Sequence, residues 1–500
     1  MNAPTRRTFL RTSALAAGAM ALSPRSWAQV MGANGDIRVA VAGLNGRGKN
    51  HLGSLAKIPG VRVVALCDVD KAVLEKAKAG LGAAGKDVKT FIDFRDLVAM
   101  PDLDAVTIAT PNHLHAILAI WACQAGKDVY VEKPVSHNVW EGRQLVAAAK
   151  KYNRVVQAGT QIRSGDGLRE AVEWVRAGNL GKITASRGFC YKRRDSIGRT
   201  AGPQTIPETV DYDLWCGPAP KDRLFRKKLH YDWHWQYVTG NGDVGNQGIH
   251  QMDVARWFLG EPGLPRSTLS VGARVGYLDD GDTPNTQVVI HDYATAPLIF
   301  EVRGLPAGLE KGRKTAPAKG APGAETAGMD KYRGVSIGNI IDCAGGHVEV
   351  PNYFSARAYD RAGKVVKEFK GEDGHMANFI AVVRSRKVAD LRGPIEEGHV
   401  SSALCHLGNI SHQLGAPVAA RSLLEKVRKN SHLAEAYERM ARHLELNGVD
   451  LNKTPLTYGL ALTVAPGTER FTGPTGAQAN PLLSRDYRAP FVVPDLTGTT

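Results

Sequence analysis

The chain has 500 residues, of which 43% are hydrophobic, 7% aromatic and 23% charged, a globular profile long enough for two or three domains with their own cores. Beyond the N-terminus no run of about 20 apolar residues occurs, which excludes a membrane span of that kind there. The six cysteines (Cys67, Cys123, Cys190, Cys216, Cys343 and Cys405) lack C-x-x-C spacing, so a zinc or thioredoxin-type site has no support. The formal net charge of +15 comes from scattered basic residues with no nucleic-acid motif beside them. It describes a basic surface, with attraction of acidic sugars or polyanions as the alternative.

In chain order, Thr5-Arg6-Arg7-Thr8-Phe9-Leu10-Arg11 precedes an apolar run from Ala14 to Leu22 and a small-x-small site at Ser26-Trp27-Ala28. Charged, apolar and small-residue regions in that order make a signal peptide over 1–28 rather than a structural helix. The paired arginines followed by Phe-Leu resemble a twin-arginine signal, which implies the twin-arginine export machinery as a partner and the periplasm as destination. Without Arg6, Arg7, Arg11 and Arg25 the formal charge is +11. Residues 29–35 read as a short linker.

Residues 36–43 form an apolar run of the buried parallel-strand kind. Further strands are expected at Val61–Cys67, around Phe91, and at Ala105–Ala109, Val129–Val131 and Val155–Ala158. Helices are expected after the first strand and at Lys71–Leu81, Asp93–Met100, Asn112–Ala125 and Val139–Tyr152. Strict alternation predicts a doubly wound α/β Rossmann domain over 36–162, with ligands at the carboxyl ends of its strands. The first turn reads Gly43-Leu44-Asn45-Gly46-Arg47-Gly48. Gly43 permits the tight turn and Gly48 close packing, while Asn45 departs from the G-x-G-x-x-G pattern but tolerates positive φ better than most residues. Asp68, 20 residues beyond Gly48, suits the ribose hydroxyls and repels a 2′-phosphate, favouring NAD over NADP; a helix cap is the alternative role.

Three stretches carry a more specific likeness: Ala109-Thr110-Pro111-Asn112-x-x-His115, then Glu132-Lys133-Pro134, then Gly245-Asn246-Gln247-Gly248-Ile249-His250-Gln251-Met252-Asp253 with Arg256-Trp257. In that order they resemble the Gfo/Idh/MocA oxidoreductase family over about residues 36–420. The resemblance implies that Thr110, Asn112 and His115 lie along the cofactor with Gly43, Asn45, Gly46, Arg47, Gly48 and Asp68. It implies that Glu132 and Lys133 reach the nicotinamide ribose and reacting carbon, that the bond before Pro134 is cis, that Gln161 approaches the nicotinamide, and that His250 is the acid/base. The family usually carries an aspartate four residues before that histidine; here Asn246 stands there. Asn246, His250, Asp253 and Trp257 share a face if the stretch is helical. An amide orients a hydroxyl but cannot take its proton, whereas His250 and a Lys133 of lowered pKa can share it. Asp253 suits either a substrate contact or pairing with Arg256 or another neighbour.

After Gln161 a helix is expected at Asp166–Ala177 and strands at Ile183–Tyr191, Ser267–Tyr277, Gln287–Tyr293, Leu298–Arg303 and His347–Val350. Few intervening helices predict an α+β domain over 163–420 with a large, mostly antiparallel open sheet, one face uncovered. In the family such a sheet walls the sugar site and joins subunits, implying a homo-oligomer. Arg163, Tyr191, Lys192, His234 and Asp253 are the candidate substrate contacts. Tyr212, Trp215, His230, Trp233 and Trp235 suit either sugar stacking or core packing. His230-x-Asp232-x-His234 lacks a supporting cluster, so no metal is expected. Residues 305–335 read as a loop, Ser422–Leu446 as an amphipathic helix, and 450–500 as an irregular tail that wraps over a partner or the first domain. The expected function is an exported NAD-dependent oxidoreductase acting on a sugar CH–OH, with tightly bound, internally recycled NAD. A redox-assisted glycosidase working through a transient keto-sugar, and a non-catalytic NAD- and sugar-binding protein, are the alternatives.

Overall fold

The computed structural model describes residues 35–307, 328–372 and 374–498. The signal sequence and residues 308–327 of the expected loop lie outside the described residues. The first sheet contains β1 (Ile37–Ala42), β2 (Val61–Cys67), β3 (Lys89–Phe91), β4 (Ala105–Ile108), β5 (Asp128–Val131) and β6 (Val156–Ala158). All are parallel, in the order β3-β2-β1-β4-β5-β6. The period-2 alternation of β1 explains the two-sided burial. Val39 and Val41 join the core cluster that includes Leu55 and Leu74, whereas Ala40 and Ala42 join the one that includes Ile117 and Leu145. Asp70, Asp93 and Asn138 cap the helices Lys71–Gly80, Phe94–Val98 and Val139–Lys151 by accepting from backbone N–H groups.

Late segments return to this domain. Phe379, Ile380 and Val382 from the helix His375–Ser385 pack on one face, and Phe491, Val493 and Leu496 on the other. Cys67 and Cys123 are buried in the same core, as small apolar residues.

The second sheet comprises β7 (Ile183–Tyr191), β8 (Ser267–Ala273), β9 (Thr286–Asp292), β10 (Leu298–Arg303), β11 (Ile337–Cys343), β12 (Gly346–Val350), β13 (Ser355–Asp360), β14 (Val365–Lys370), β15 (Ala416–Val418), β16 (Leu456–Tyr458), β17 (Leu462–Val464) and β18 (Phe471–Thr472). Its main order is β14-β13-β12-β11-β7-β10-β9-β8-β16-β15, antiparallel except for the parallel β10–β7 pair. Strands β11, β13, β14, β15 and β18 are additional to the strands expected from sequence, as are β16 and β17.

Two expectations change. The face expected to be open is covered where Leu423, Val427, Leu433, Tyr437, Met440 and Leu444 pack on Val271, Val288 and Ile299. Those residues come from two helices, Ala420–Val427 and Ser431–Leu446, because the Asn430 side chain caps the second and breaks the expected single helix. The stretch read as an irregular tail contributes β16 and β17, both paired to β8. Among the described residues, no helix is long and apolar enough to cross a membrane.

Candidate active site

The carboxyl ends of the first sheet's strands open into a cavity of about 420 Å³. Ala42, Cys67, Ile92, Ala109, Glu132 and Gln161, each at or just after the end of one of β1 to β6, line it. That is where an open α/β sheet binds its ligands.

The glycine turn is built as a cradle. Gly43 has φ +82°, and a Cβ there would lie 2.6 Å from the Ala109 carbonyl; a Cβ on Gly48 would lie 1.9 Å from the Gly43 oxygen. The positive φ therefore falls on Gly43 rather than on Asn45, so Asn45 needs no special tolerance. Nothing stands within 4 Å of a Cβ on Gly46, and no side chain caps the helix Arg47–Leu55. Gly46 and Arg47 at its start line the cavity, where the unpaired N–H groups of a helix N-terminus make a ready anion site. The buried Thr110 hydroxyl, also on the cavity wall, has no hydrogen-bond partner. These features fit a dinucleotide.

Asp68 accepts from the backbone N–H of Leu44 (2.8 Å) and of Asp70 (3.1 Å). The helix cap is Asp70, which also meets His230 Nε2 at 2.8 Å. Burial raises the Asp68 carboxyl pKa, and the two backbone donors oppose that shift.

Glu132 is the hub of the cofactor wall. Arg47 Nε donates to it at 2.8 Å and Gln161 Nε2 at 3.0 Å, and His51 Nε2 lies 3.1 Å away. Burial favours the neutral acid, but the His51 hydrogen bond and the Arg47 and Lys133 charges hold the carboxyl well below the usual range. Gln161 Nε2 also donates to the Tyr130 hydroxyl at 2.8 Å. His51 was missed by the sequence reading, although it lies four residues after Arg47 on the same helical face.

Lys133 follows in a cis Lys133–Pro134 peptide. Its Nζ donates to the Asn246 carbonyl at 2.5 Å. Burial lowers its pKa; Glu132 opposes that shift, while Arg47 and Lys192 reinforce it. Asn246 ends the short helix Gly242–Asn246, and Gln247 breaks it from the helix Gly248–Leu259. The expected single helical face is thus interrupted, and Asn246 meets Lys133 through its backbone oxygen.

His250 sits on the longer helix and lines the cavity, with its ring centroid 5.1 Å from that of Tyr353. Burial and the neighbouring Lys133 charge push its pKa well below the usual value, so the imidazole is neutral. It has no side-chain hydrogen-bond partner among the described residues. Tyr353, whose hydroxyl accepts from Gln247 Nε2 at 3.1 Å, carried no sequence signal.

The remaining candidates divide. Asn112 lines the cavity and donates to Asn241 Oδ1 at 3.0 Å. His115 also lines it, but its ring nitrogens lie 2.6 Å and 2.7 Å from the Pro134 and Thr110 carbonyls, so it ties two cofactor-side turns together. His234 lines the cavity, stacked on Trp233 at 3.6 Å, with Trp215, His230 and Tyr231 nearby on the wall. His230, Asp232 and His234 turn to different partners: Asp70, the Lys228 N–H and the Tyr231 carbonyl.

Arg163, Tyr191, Lys192 and Asp253 do not line the cavity; Asp253 takes the alternative role of pairing with a neighbour, Arg163, and the Lys192 charge acts on Lys133 from nearby. Tyr191 is fully buried and donates to Glu301 at 2.8 Å. Lys192 follows β7 and pairs its backbone with Arg303. Arg163 grips Asp253 at 2.8 Å and Glu397 at 3.0 Å, and Ser401 donates to Asp253 at 2.6 Å. This clamp joins the turn after β6 to the helices Gly248–Leu259 and Ile395–Gln413. Replacing Arg163 by Ala leaves Asp253 charged and buried; about 3–5 kcal/mol of unfolding free energy should be lost in urea titrations. A large rise in substrate KM at unchanged stability would reverse that assignment.

Residues 37–160 match the family described as the Gfo/Idh/MocA oxidoreductase family, NAD-binding Rossmann fold, and residues 171–282 match its C-terminal alpha/beta domain. The chain is 29% identical over 180 residues to an inositol 2-dehydrogenase of Salmonella typhimurium, covering 36% of this chain and 52% of that one. It is 29% identical over 152 residues to a glycosyl hydrolase family 109 protein of a Shewanella species, covering 29% and 33%. The crystal structure of the WlbA dehydrogenase from Bordetella pertussis in complex with NADH and UDP-GlcNAcA shares the fold, with a TM-score of 0.52, 20% identity, and 74% and 95% of the two chains covered. The chain spans about half the length of the curated relatives first matched. With a glycine cradle and Lys133 on the Rossmann domain, and His250 presented from the second, residues 37–160 and 171–282 are similar to the two domains of the Gfo/Idh/MocA oxidoreductase family.

Proposed function

We propose that the protein oxidises a CH–OH group of a sugar or sugar derivative with NAD that stays bound and is recycled in place. The supporting observation is a single cavity that runs from the Gly43–Gly48 cradle and Asp68 to Lys133 and the neutral His250. Bound NAD supplies the two-electron acceptor. His250 takes the hydroxyl proton at an imidazole nitrogen, because a carbinol oxidises only as that proton leaves. Lys133 donates a hydrogen bond to the same oxygen, and its lowered pKa lets it share the proton. Asn246, Gln247, Tyr353, Tyr231 and His234 supply amides and rings suited to a sugar. Export to the periplasm rests on the Arg6-Arg7 signal, and a recycled cofactor follows from scarce free NAD there.

NAD rather than NADP is favoured by Asp68. Asp68→Ala should weaken NAD by roughly 10- to 100-fold, the scale of one charged hydrogen bond, while relieving the repulsion of a 2′-phosphate. Titrating both cofactors checks this; an unchanged NAD/NADP ratio would remove the specificity role.

Purified protein should release near one NAD(H) per chain on denaturation, without added nicotinamide. Little or no release would overturn the captive cofactor. The likeness to the glycosyl hydrolase family 109 protein supports a second reading, redox-assisted glycoside cleavage. In that case a chromogenic glycoside releases its aglycone with no NAD added; turnover of free sugars alone would exclude it.

A further inference from the structure

The cavity extends along the sheet edge beyond Asp68, away from Lys133. With the order β3-β2-β1-β4-β5-β6, the residues after β3 stand at one end and Lys133, after β5, toward the other. A dinucleotide whose ribose meets Asp68 and whose pyrophosphate meets the β1 turn therefore directs its adenine to the β3 end.

That end is closed by distant parts of the chain. Trp121, from the helix Asn112–Gln124, and Phe491 form a continuous aromatic wall, ring centroids 6.0 Å apart. Ile92, Leu118 and Leu214 complete an apolar lining. Arg95 and Arg488 lie 5.6 Å and 4.8 Å from the Phe491 ring. Phe491 is 3% exposed, and its segment is pinned on both sides. Arg488 donates to the Asp213 side chain and carbonyl, both at 2.8 Å, and the Leu496 N–H donates to Gln144 Oε1 at 2.5 Å. Asp213 belongs to the helix Tyr212–Cys216, whose approach is itself tied to the turn after β2 by the Asp211 N–H to Val69 carbonyl bond at 2.9 Å.

We propose that the segment Arg488–Leu496 completes the cofactor site in cis: Phe491, with Trp121, is the adenine platform, and its anchored segment holds the dinucleotide in place. This rests on the NAD reading and adds the residues that confer retention. Aromatic faces suit adenine because every base has a π-face, and one such contact is worth about 10-fold or more in binding.

The test compares NAD with nicotinamide mononucleotide, which lacks adenine, on the full-length protein and on Phe491→Ala and Phe491→Tyr. Phe491→Ala should purify with less NAD and bind it about 10- to 100-fold more weakly, with mononucleotide binding unchanged and Phe491→Tyr restoring NAD. Equal weakening of both ligands, or unchanged NAD affinity, would overturn the proposal, because a merely structural residue affects both or neither. A wild-type protein that bound neither ligand would remove the NAD reading itself, an outcome distinct from both.

Discussion

Lys133→Met is expected to lower sugar turnover by about 10²- to 10⁴-fold, the usual scale for a lost proton-transfer group, with NAD content unchanged. The Nζ sits on the cavity wall, held by the Asn246 carbonyl at 2.5 Å rather than by a carboxylate. Methionine keeps the volume and removes the proton. His250→Gln should give a loss of the same order, since the imidazole is the neutral acceptor and an amide cannot replace it. Because the two groups act on one oxygen, the double variant should fall little below the worse single one. The measurement is reduction of bound nicotinamide at 340 nm after adding sugar, alongside NAD content. Wild-type rates in either variant, with cofactor retained, would remove that residue from the catalytic machinery, whereas a wild-type protein whose bound nicotinamide no sugar reduces would favour the non-catalytic binding protein.

The second large effect is loss of stability in acid. Burial depresses the pKa of His113, His234, His291 and His406 to about 3. Each is neutral in the folded protein and, below about pH 6.5, protonated once unfolded. Their contribution is therefore complete above pH 6.5 and is lost as pH falls toward 3. Two buried acids act in the opposite sense: burial raises Glu141 to about 7 and Asp282 to about 6, so both favour folding as pH drops from those values. These four histidines against these two acids leave an excess of about two protons on the unfolded chain near pH 5, and His137 and His250, also lowered by burial, add to it in the same direction. At about 1.4 kcal/mol per proton per pH unit, stability should fall by at least about 3 kcal/mol per unit between pH 6 and 4.5. A typical total of about 5–15 kcal/mol makes that decisive. Urea unfolding at pH 7.5, 6 and 5 measures the slope. His291→Gln should reduce it by about 1.4 kcal/mol per unit; a flat profile from pH 7 to 5 would refute the account.

The features legible from the amino acids were local or periodic. The apolar runs at β1, β2, β4 and β5, the glycines at 43 and 48, and Asp68 at the end of β2 each declare themselves within a few residues, because strand period and turn sterics act over that range. Glu132, Lys133 and His250 were legible as short motifs, and the structure gathers all three at one cavity. Tertiary structure alone decided which charged residues face that cavity. Arg163 and Asp253 had the polarity of substrate contacts, yet they satisfy each other across 90 residues, since a buried charge must find its partner and sequence spacing does not record which one. Tyr191 went the same way, to Glu301. Tyr353 and Phe491 stayed invisible for the converse reason. Each is an ordinary aromatic in its own stretch and gains a role only when folding brings it against His250 or Trp121, from over 100 and over 350 residues away.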